Sequence, residues 1–244
     1  MNSYVFCDLD NTIVRHHSRS DQADAVFVGL DEFGKPSTVM TSADSAVYQH
    51  ALDFGTIIPT TGRSIAEYQR LQPLLPSFTS WAILNHGATI LFNNAVDPAW
   101  LAKTQTEMLG SSQGLTALYQ RYLCHLDSSQ LSVRLHQEHS LPLYISLRIP
   151  RQLPYLELRH SIEQIFLQAD QPDFALLHTG RITSVLPKSI NKKTAVLEVM
   201  RRLEPPLKTL GIGDSLTDLA FMQCCDQLHY PPNSEIGLHF AGDV

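Results

Sequence analysis

The stretch that most constrains this chain is Val5-Phe6-Cys7-Asp8-Leu9-Asp10-Asn11-Thr12. An apolar run from Tyr4 to Cys7 leads straight into two aspartates spaced two apart, and then the chain turns. A strand that is apolar on both faces belongs inside a parallel sheet covered by helices. Side chains alternate along a strand, so Asp8 and Asp10 are expected to leave it on the same side. The carboxyl ends of such strands are where open α/β sheets bind ligands. Two carboxylates placed there repel each other unless a cation or a shared proton offsets the charge. An Asx turn closing the strand accounts for the same residues without a ligand, so the rest of the chain has to decide.

Three more joints repeat the pattern. Thr56 to Thr60 reads as a short strand, Ile65 to Leu71 as a helix, and Thr61-Gly62-Arg63-Ser64 lies between them. A hydroxyl and a glycine ahead of a helix N-terminus suit an anion such as phosphate. Capping by Thr61 or Ser64 is the plainer alternative. Lys192 and Lys193 open a helix running to Leu203, where lysines oppose the helix dipole. That local conflict points to an anionic partner, or simply to two solvated lysines. Leu207 to Ile212 is a last core strand ending in Gly213-Asp214-Ser215-Leu216-Thr217-Asp218. Asp218 falls one turn after Asp214 if a helix starts at Ser215. A capping box explains Ser215 and Asp218, but not Asp214 or the glycines.

Between these joints, Ala25 to Leu30 and Ser37 to Met40 read as a hairpin just beyond Asp10, either a flap over the site or a plain surface hairpin. Thr41 to Phe54 reads as a helix stopped by Gly55. The polar stretch from Arg15 to Asp24, with His16 and His17, reads as a solvated loop. Ser80 to Leu84 is a third core strand followed by Asn85-His86-Gly87-Ala88, and His86 is read as a histidine hydrogen-bonded in place, outside the site. From about Phe92 amphipathic helices alternate with half-exposed strands, the texture of an α+β unit. Residues 90–185 are therefore expected to form an inserted domain, with 1–89 and 186–244 as the core. Arg134, Arg148 and Arg181 are either grips for the substrate's far end or simply solubilising strand residues. Pro231-Pro232 and the tail read as a final strand and loop.

The 244 residues carry a net charge of −6 and no basic stripe, which gives nucleic-acid binding no support. No apolar run is long enough to span a bilayer, and the first one ends at once in Asp8, unlike a signal segment. A cytoplasmic protein with reduced cysteines is the expectation: Cys7, Cys124, Cys224 and Cys225 have no zinc spacing. P-loop and G-x-G-x-x-G patterns are absent from the sequence, which removes nucleotide-loop readings.

What remains is Asp8, Asp10, Thr61, Lys192, Asp214 and Asp218: carboxylates, a lysine and a hydroxyl. That inventory suits Mg²⁺ and a phosphate. Taken in order, Asp8-Leu9-Asp10-Asn11-Thr12, Thr61-Gly62-Arg63, Lys192 and Gly213-Asp214-Ser215-x-x-Asp218 resemble the four motifs of the haloacid dehalogenase-like (HAD) phosphatases. The long insert resembles the cap of the branch that holds Cof-type sugar phosphatases and the sucrose-phosphate, trehalose-phosphate and mannosylphosphoglycerate phosphatases. Asn85-His86-Gly87-Ala88 resembles that branch's N-G-A element with His86 interposed.

The resemblance implies an α/β fold, a Rossmann-like parallel-sheet core with an inserted α+β cap. It implies a phosphomonoester hydrolase acting on a small phosphorylated metabolite, a sugar phosphate first, through an aspartyl-phosphate. Asp8 would be the nucleophile and Asp10 the general acid/base. Thr61, Gly62 and Asn11 would hold the phosphoryl group, and Lys192 would steady Asp8 and the phosphate. Asp8, Asp10 (by its backbone carbonyl), Asp214 and Asp218 would bind or support Mg²⁺. Lys193 stands where the branch usually has glycine, leaving Lys192 or Lys193 as the active lysine, with Lys192 favoured by alignment. A phosphosugar mutase of the same fold and an idle phosphate-ligand binder are the alternatives.

Overall fold

The computed structural model describes residues 2–17, 24–127, 131–205 and 207–242. In chain order the strands and helices are β1 Asn2–Cys7, β2 Arg15–His16, β3 Val26–Leu30, β4 Pro36–Met40, α1 Ser42–Phe54, β5 Thr56–Pro59, α2 Ile65–Gln69, β6 Trp81–Leu84, β7 Thr89–Phe92, β8 Ala95–Val96, α3 Pro98–Met108 and α4 Ser112–His125. They continue with β9 Ser132–Glu138, β10 Leu141–Arg148, α5 Tyr155–Gln168, β11 Phe174–Thr179, β12 Ile182–Pro187, α6 Lys192–Arg202, β13 Leu207–Ile212, α7 Leu219–Met222, β14 Gln227–His229 and α8 Glu235–Ala241. The chain divides into two compact units, Met1–Leu101 with Asn191–Val244, and Ala102–Ile190. Residues 90–101 thus group with the first unit and 186–190 with the second, a shift from junctions at 90 and 185.

The first unit is built on a parallel sheet in the order β14-β13-β1-β5. A bridge between Thr60 and Ile83 continues it to β6, which opens an antiparallel β6-β7-β8 sheet. β1 lies in the middle, and Val5, Phe6 and Cys7 are fully buried. Alternation sends Val5 and Cys7 to one face, where they pack with Ala51 of α1, Ile57, Leu71 and Ile212. Phe6 goes to the other face, among Ile58, Ala195, Val196, Val199, Phe221 and Met222. Helices therefore cover both faces, and that is why the strand is apolar throughout. Each such fully buried side chain contributes about 1.5–3 kcal/mol.

The second unit is an antiparallel sheet, β11-β12-β10-β9, with α4 and α5 packed together on it. Tyr122 of α4, fully buried, donates its hydroxyl to Ile162 O of α5 at 3.4 Å.

Several local expectations change. The β3–β4 hairpin is anchored rather than free: Val28, Val39 and Met40 are buried, and Leu30 N donates to Arg70 O at 3.2 Å. Arg15 belongs to this anchoring, paired with buried Asp44 in the first turn of α1; residues 18–23 of that polar stretch lie outside the described residues. The tail is helical. Ser234 caps α8 by accepting Gly237 N at 3.0 Å, and Ile236 is fully buried, so one cap and one anchor outweigh the Pro231-Pro232 signal. No helix among the described residues is long and apolar enough to cross a membrane.

Candidate active site

β1 stops at Cys7, and the next residue, Asp8, is 5% exposed. Its N–H donates to Ile212 O at 2.8 Å, which ties the end of β1 to the end of β13. The same register brings Asp214, two residues past β13, alongside Asp8. Lys192 Nζ donates to Asp8 Oδ1 and to Asp218 Oδ1, both at 2.7 Å. One carboxylate oxygen each from Asp8, Asp214 and Asp218 lies within 4.8 Å of the others. Thr12 Oγ1 stands 3.4 Å from Asp8 Oδ2 and 3.3 Å from Asp214 Oδ1, so its single proton serves one at a time. The glycine before Asp214 is required by close approach: a Cβ on Gly213 would sit 2.6 Å from Asp218 Cβ. Ser215 N and Oγ donate to Asp218 Oδ2 at 3.2 and 2.8 Å, and Asp218 N donates back to Ser215 O at 2.8 Å. The helix that follows, α7, begins only at Leu219 and is four residues long. Both oxygens of Asp218 are therefore engaged by protein donors.

Three carboxylates face one ammonium. Burial raises the Asp8 carboxyl well above the usual range, and the charges of Asp218 and Asp214 add to that, against the pull of Lys192. Burial, then repulsion from Asp218, pushes Asp214 up to about 7. Burial alone would lower Lys192, but Asp218 and Asp8 reverse that and hold it firmly protonated. The cluster carries an excess of buried negative charge that a cation would offset. Its donors are all oxygens, which suits a hard divalent ion such as Mg²⁺. Asp8 and Asp214 are the side chains placed to hold it, while Asp218 is turned to Lys192 and Ser215.

Asp10 stands apart from this cluster. The strand has ended before it, at Cys7, so period-two alternation no longer positions its side chain. Arg63 Nε and Nη2 clamp its carboxylate at 2.8 and 2.7 Å in a bidentate pair. The Arg63 side chain is 14% exposed and that of Asp10 is 44% exposed, so the acid stays reachable while its partner is buried. Asn11 is left-handed, φ 61°, and its N–H donates to Val14 O at 2.7 Å.

Thr61 is buried; its N–H donates to Ile83 O at 2.9 Å, and its Oγ1 accepts Arg63 N at 3.2 Å. The helix after it is only Ile65–Gln69, and Ser64 closes its N-terminus in a capping box with Glu67. Any anion role thus falls to the Thr61–Gly62 loop rather than to the helix dipole.

Sequence reasoning left His86 out of the site; in the structure its ring lies against Gly62. A Cβ on Gly62 would lie 2.5 Å from His86 Cε1 and 2.6 Å from Nε2, so the imidazole edge lies against Gly62. His86 rides on three successive left-handed residues, Asn85, His86 and Gly87, with φ of 51°, 58° and 99°. Such a conformation costs roughly 1–3 kcal/mol at each non-glycine. Four bonds hold it: Asn85 N to Arg63 O (2.8 Å), His86 N to Thr61 O (3.1 Å), Asn85 Nδ2 to Thr89 Oγ1 (3.0 Å) and Trp100 Nε1 to Gly87 O (3.0 Å). Gly87 also passes Asn191 so closely that a Cβ would sit 2.3 Å from its carbonyl oxygen. The one signal for this in the sequence was an Asn and a Gly bracketing a histidine just after a core strand.

Two lysine and arginine questions are also answered by position. Lys192 reaches the carboxylates and Lys193 is exposed, because adjacent helical residues point about 100° apart. Arg181 is occupied within the second unit, donating to the carbonyls of Ile149, Pro150 and Leu153 at 3.0, 2.7 and 2.7 Å.

No protein-family model and no curated protein matches the chain. Solved structures do match. A sucrose-phosphatase from Synechocystis sp., solved with sucrose and phosphate, aligns over 99% of this chain and 97% of its own at 16% identity, TM-score 0.57. The C-terminal domain of trehalose-6-phosphate phosphatase from C. albicans aligns over 99% of this chain and 77% of its own at 14% identity, TM-score 0.56. A sugar phosphatase of HAD subclass IIB aligns over 100% of this chain and 98% of its own at 14% identity, TM-score 0.54. The chain has the fold of the HAD-type phosphatases, a parallel-sheet α/β core with an α+β insert.

Proposed function

We propose that this chain is a Mg²⁺-dependent phosphomonoester hydrolase, acting in the cytoplasm on a small phosphorylated metabolite, a sugar phosphate first. The carrying observation is the buried set of Asp8, Asp214 and Asp218 around Lys192, with a second carboxylate, Asp10, held aside by Arg63. One buried carboxylate beside a lysine and another at the pocket's edge are what nucleophile and proton carrier require.

Asp8 attacks phosphorus, forming its bond to the phosphoryl group as the ester oxygen leaves with a proton from Asp10. Asp10 then takes a proton from water, which attacks the aspartyl-phosphate and frees inorganic phosphate and Asp8. Lys192 offsets negative charge on Asp8 and on the transferred group. Thr61 and Gly62 are the loop that would hold the phosphoryl oxygens. A bound Mg²⁺, held by Asp8 and Asp214, would neutralise phosphate charge and keep Asp8 ionised. The insert, residues 102–190, would select the substrate. Sugar phosphates come first because the structures of like fold are named as phosphatases of sucrose- and trehalose-phosphate.

The test is phosphate release from a panel of sugar phosphates, nucleotides and other phosphomonoesters with Mg²⁺ present. Turnover concentrated on sugar phosphates supports the full reading. Release from no ester, with isomerisation of a phosphosugar on addition of a sugar bisphosphate, would replace hydrolase by mutase.

A further inference from the structure

We propose that His86 is a phosphate-binding residue, its imidazole forming with Thr61 and Gly62 the wall on which the transferred phosphoryl group rests. The inference rests on the phosphatase reading and adds a residue to its site. The ring edge carrying Nε2 lies against Gly62, in the space a Cβ would fill. Glycine at 62 and histidine at 86 therefore belong together: any side chain at 62 would push the ring away.

The turn carrying His86 is fastened to both loops that the mechanism uses. His86 N donates to Thr61 O and Asn85 N to Arg63 O, while Gly87 runs against Asn191 and Lys192 N. Displacing residue 86 thus moves the phosphate loop on one side and the start of the lysine helix on the other. An imidazole N–H donates to phosphate oxygens in either tautomer and in the cationic form.

The test compares the wild type with His86→Leu and His86→Gln, which keep side-chain bulk but differ in whether an N–H donor remains. Inorganic phosphate is titrated calorimetrically with Mg²⁺ present, beside thermal melts and steady-state kinetics on an active ester. His86→Leu is expected to weaken phosphate about tenfold or more, the scale of one lost charge-assisted hydrogen bond. KM should rise with little change in kcat, as when ground-state and transition-state binding fall together. His86→Gln is expected to recover part of the affinity. Equal phosphate affinity in the wild type and both variants overturns the inference and leaves the phosphatase reading standing. So does a melt lowered in both variants with phosphate affinity unmoved, because that marks a structural turn only. A wild type that neither binds phosphate nor hydrolyses any ester overturns both.

Discussion

Asp214 offers the sharpest test of why the carboxylates are assembled. In the metal-free fold it titrates at about 7 against an ordinary 3.8, because it is buried beside Asp218. The sign follows from proton binding. Between the two values the folded chain holds a proton that the unfolded chain has lost, so stability falls as pH rises from about 4 to 7 and then levels off. The gap, 7 − 3.8, is roughly 3 units at about 1.4 kcal/mol each, so the ionised carboxylate costs the metal-free fold about 4 kcal/mol above pH 7. Asp214→Asn keeps the shape and removes that charge. At pH 8 with EDTA the variant should melt well above the wild type, by roughly 8–16 °C if the whole cost is recovered. Below pH 4 the two should melt together. Both tryptophans, Trp81 and Trp100, lie in the first unit, so their fluorescence reports that unit alone. Mg²⁺ should raise the wild type at pH 8 and leave the variant unmoved. A variant that melts below the wild type at pH 8 without metal, or an equal Mg²⁺ shift in both, refutes the reasoning.

Lys192→Met removes the ammonium that donates to both Asp8 and Asp218. Breaking a buried pair costs about 3–5 kcal/mol, so denaturant melts should show the largest loss at pH 8 and a smaller one at pH 5, where protons replace the ammonium. Arg63→Lys loses the bidentate grip on Asp10. General acid catalysis contributes about 10²–10⁴-fold, so kcat should fall at least about tenfold on alkyl phosphates. It should fall much less on an aryl phosphate whose leaving group needs no proton; an equal fall on both would show that Arg63 does not act through Asp10.

The core was legible where burial and chemistry agree. The run from Tyr4 to Cys7 had to be a central strand because it is apolar on both faces up to its aspartate, and Leu207 to Ile212, ending in Leu210-Gly211-Ile212, read as another before Asp214. The preference for Lys192 over Lys193 matched the side chain that reaches the carboxylates, since a helix can aim only one of two neighbours at one point. The pairing that holds the Asp10 carboxylate, with Arg63, joins distant segments and was not legible from strand alternation. The hairpin's anchoring on Arg70 and the role of Asp44 toward Arg15 depend on contacts between distant segments, which no local pattern carries. The terminal helix was hidden by two prolines that stop β14's continuation but sit ahead of a good N-cap. His86 was hidden for a different reason: its place against Gly62 depends on three consecutive left-handed residues, a conformation that propensity argues against and four tertiary hydrogen bonds enforce.

The central claim is that Asp8 takes the phosphoryl group in a Mg²⁺-dependent reaction. The most direct measurement is phosphate release from the best ester by the wild type and by Asp8→Asn, each with Mg²⁺ and with EDTA, alongside melts showing that both are folded. The account predicts release only from the wild type with Mg²⁺, with the other three arms lower by at least about 10³-fold, the scale on which removal of a nucleophile acts. Turnover retained by folded Asp8→Asn, or undiminished in EDTA, would contradict it.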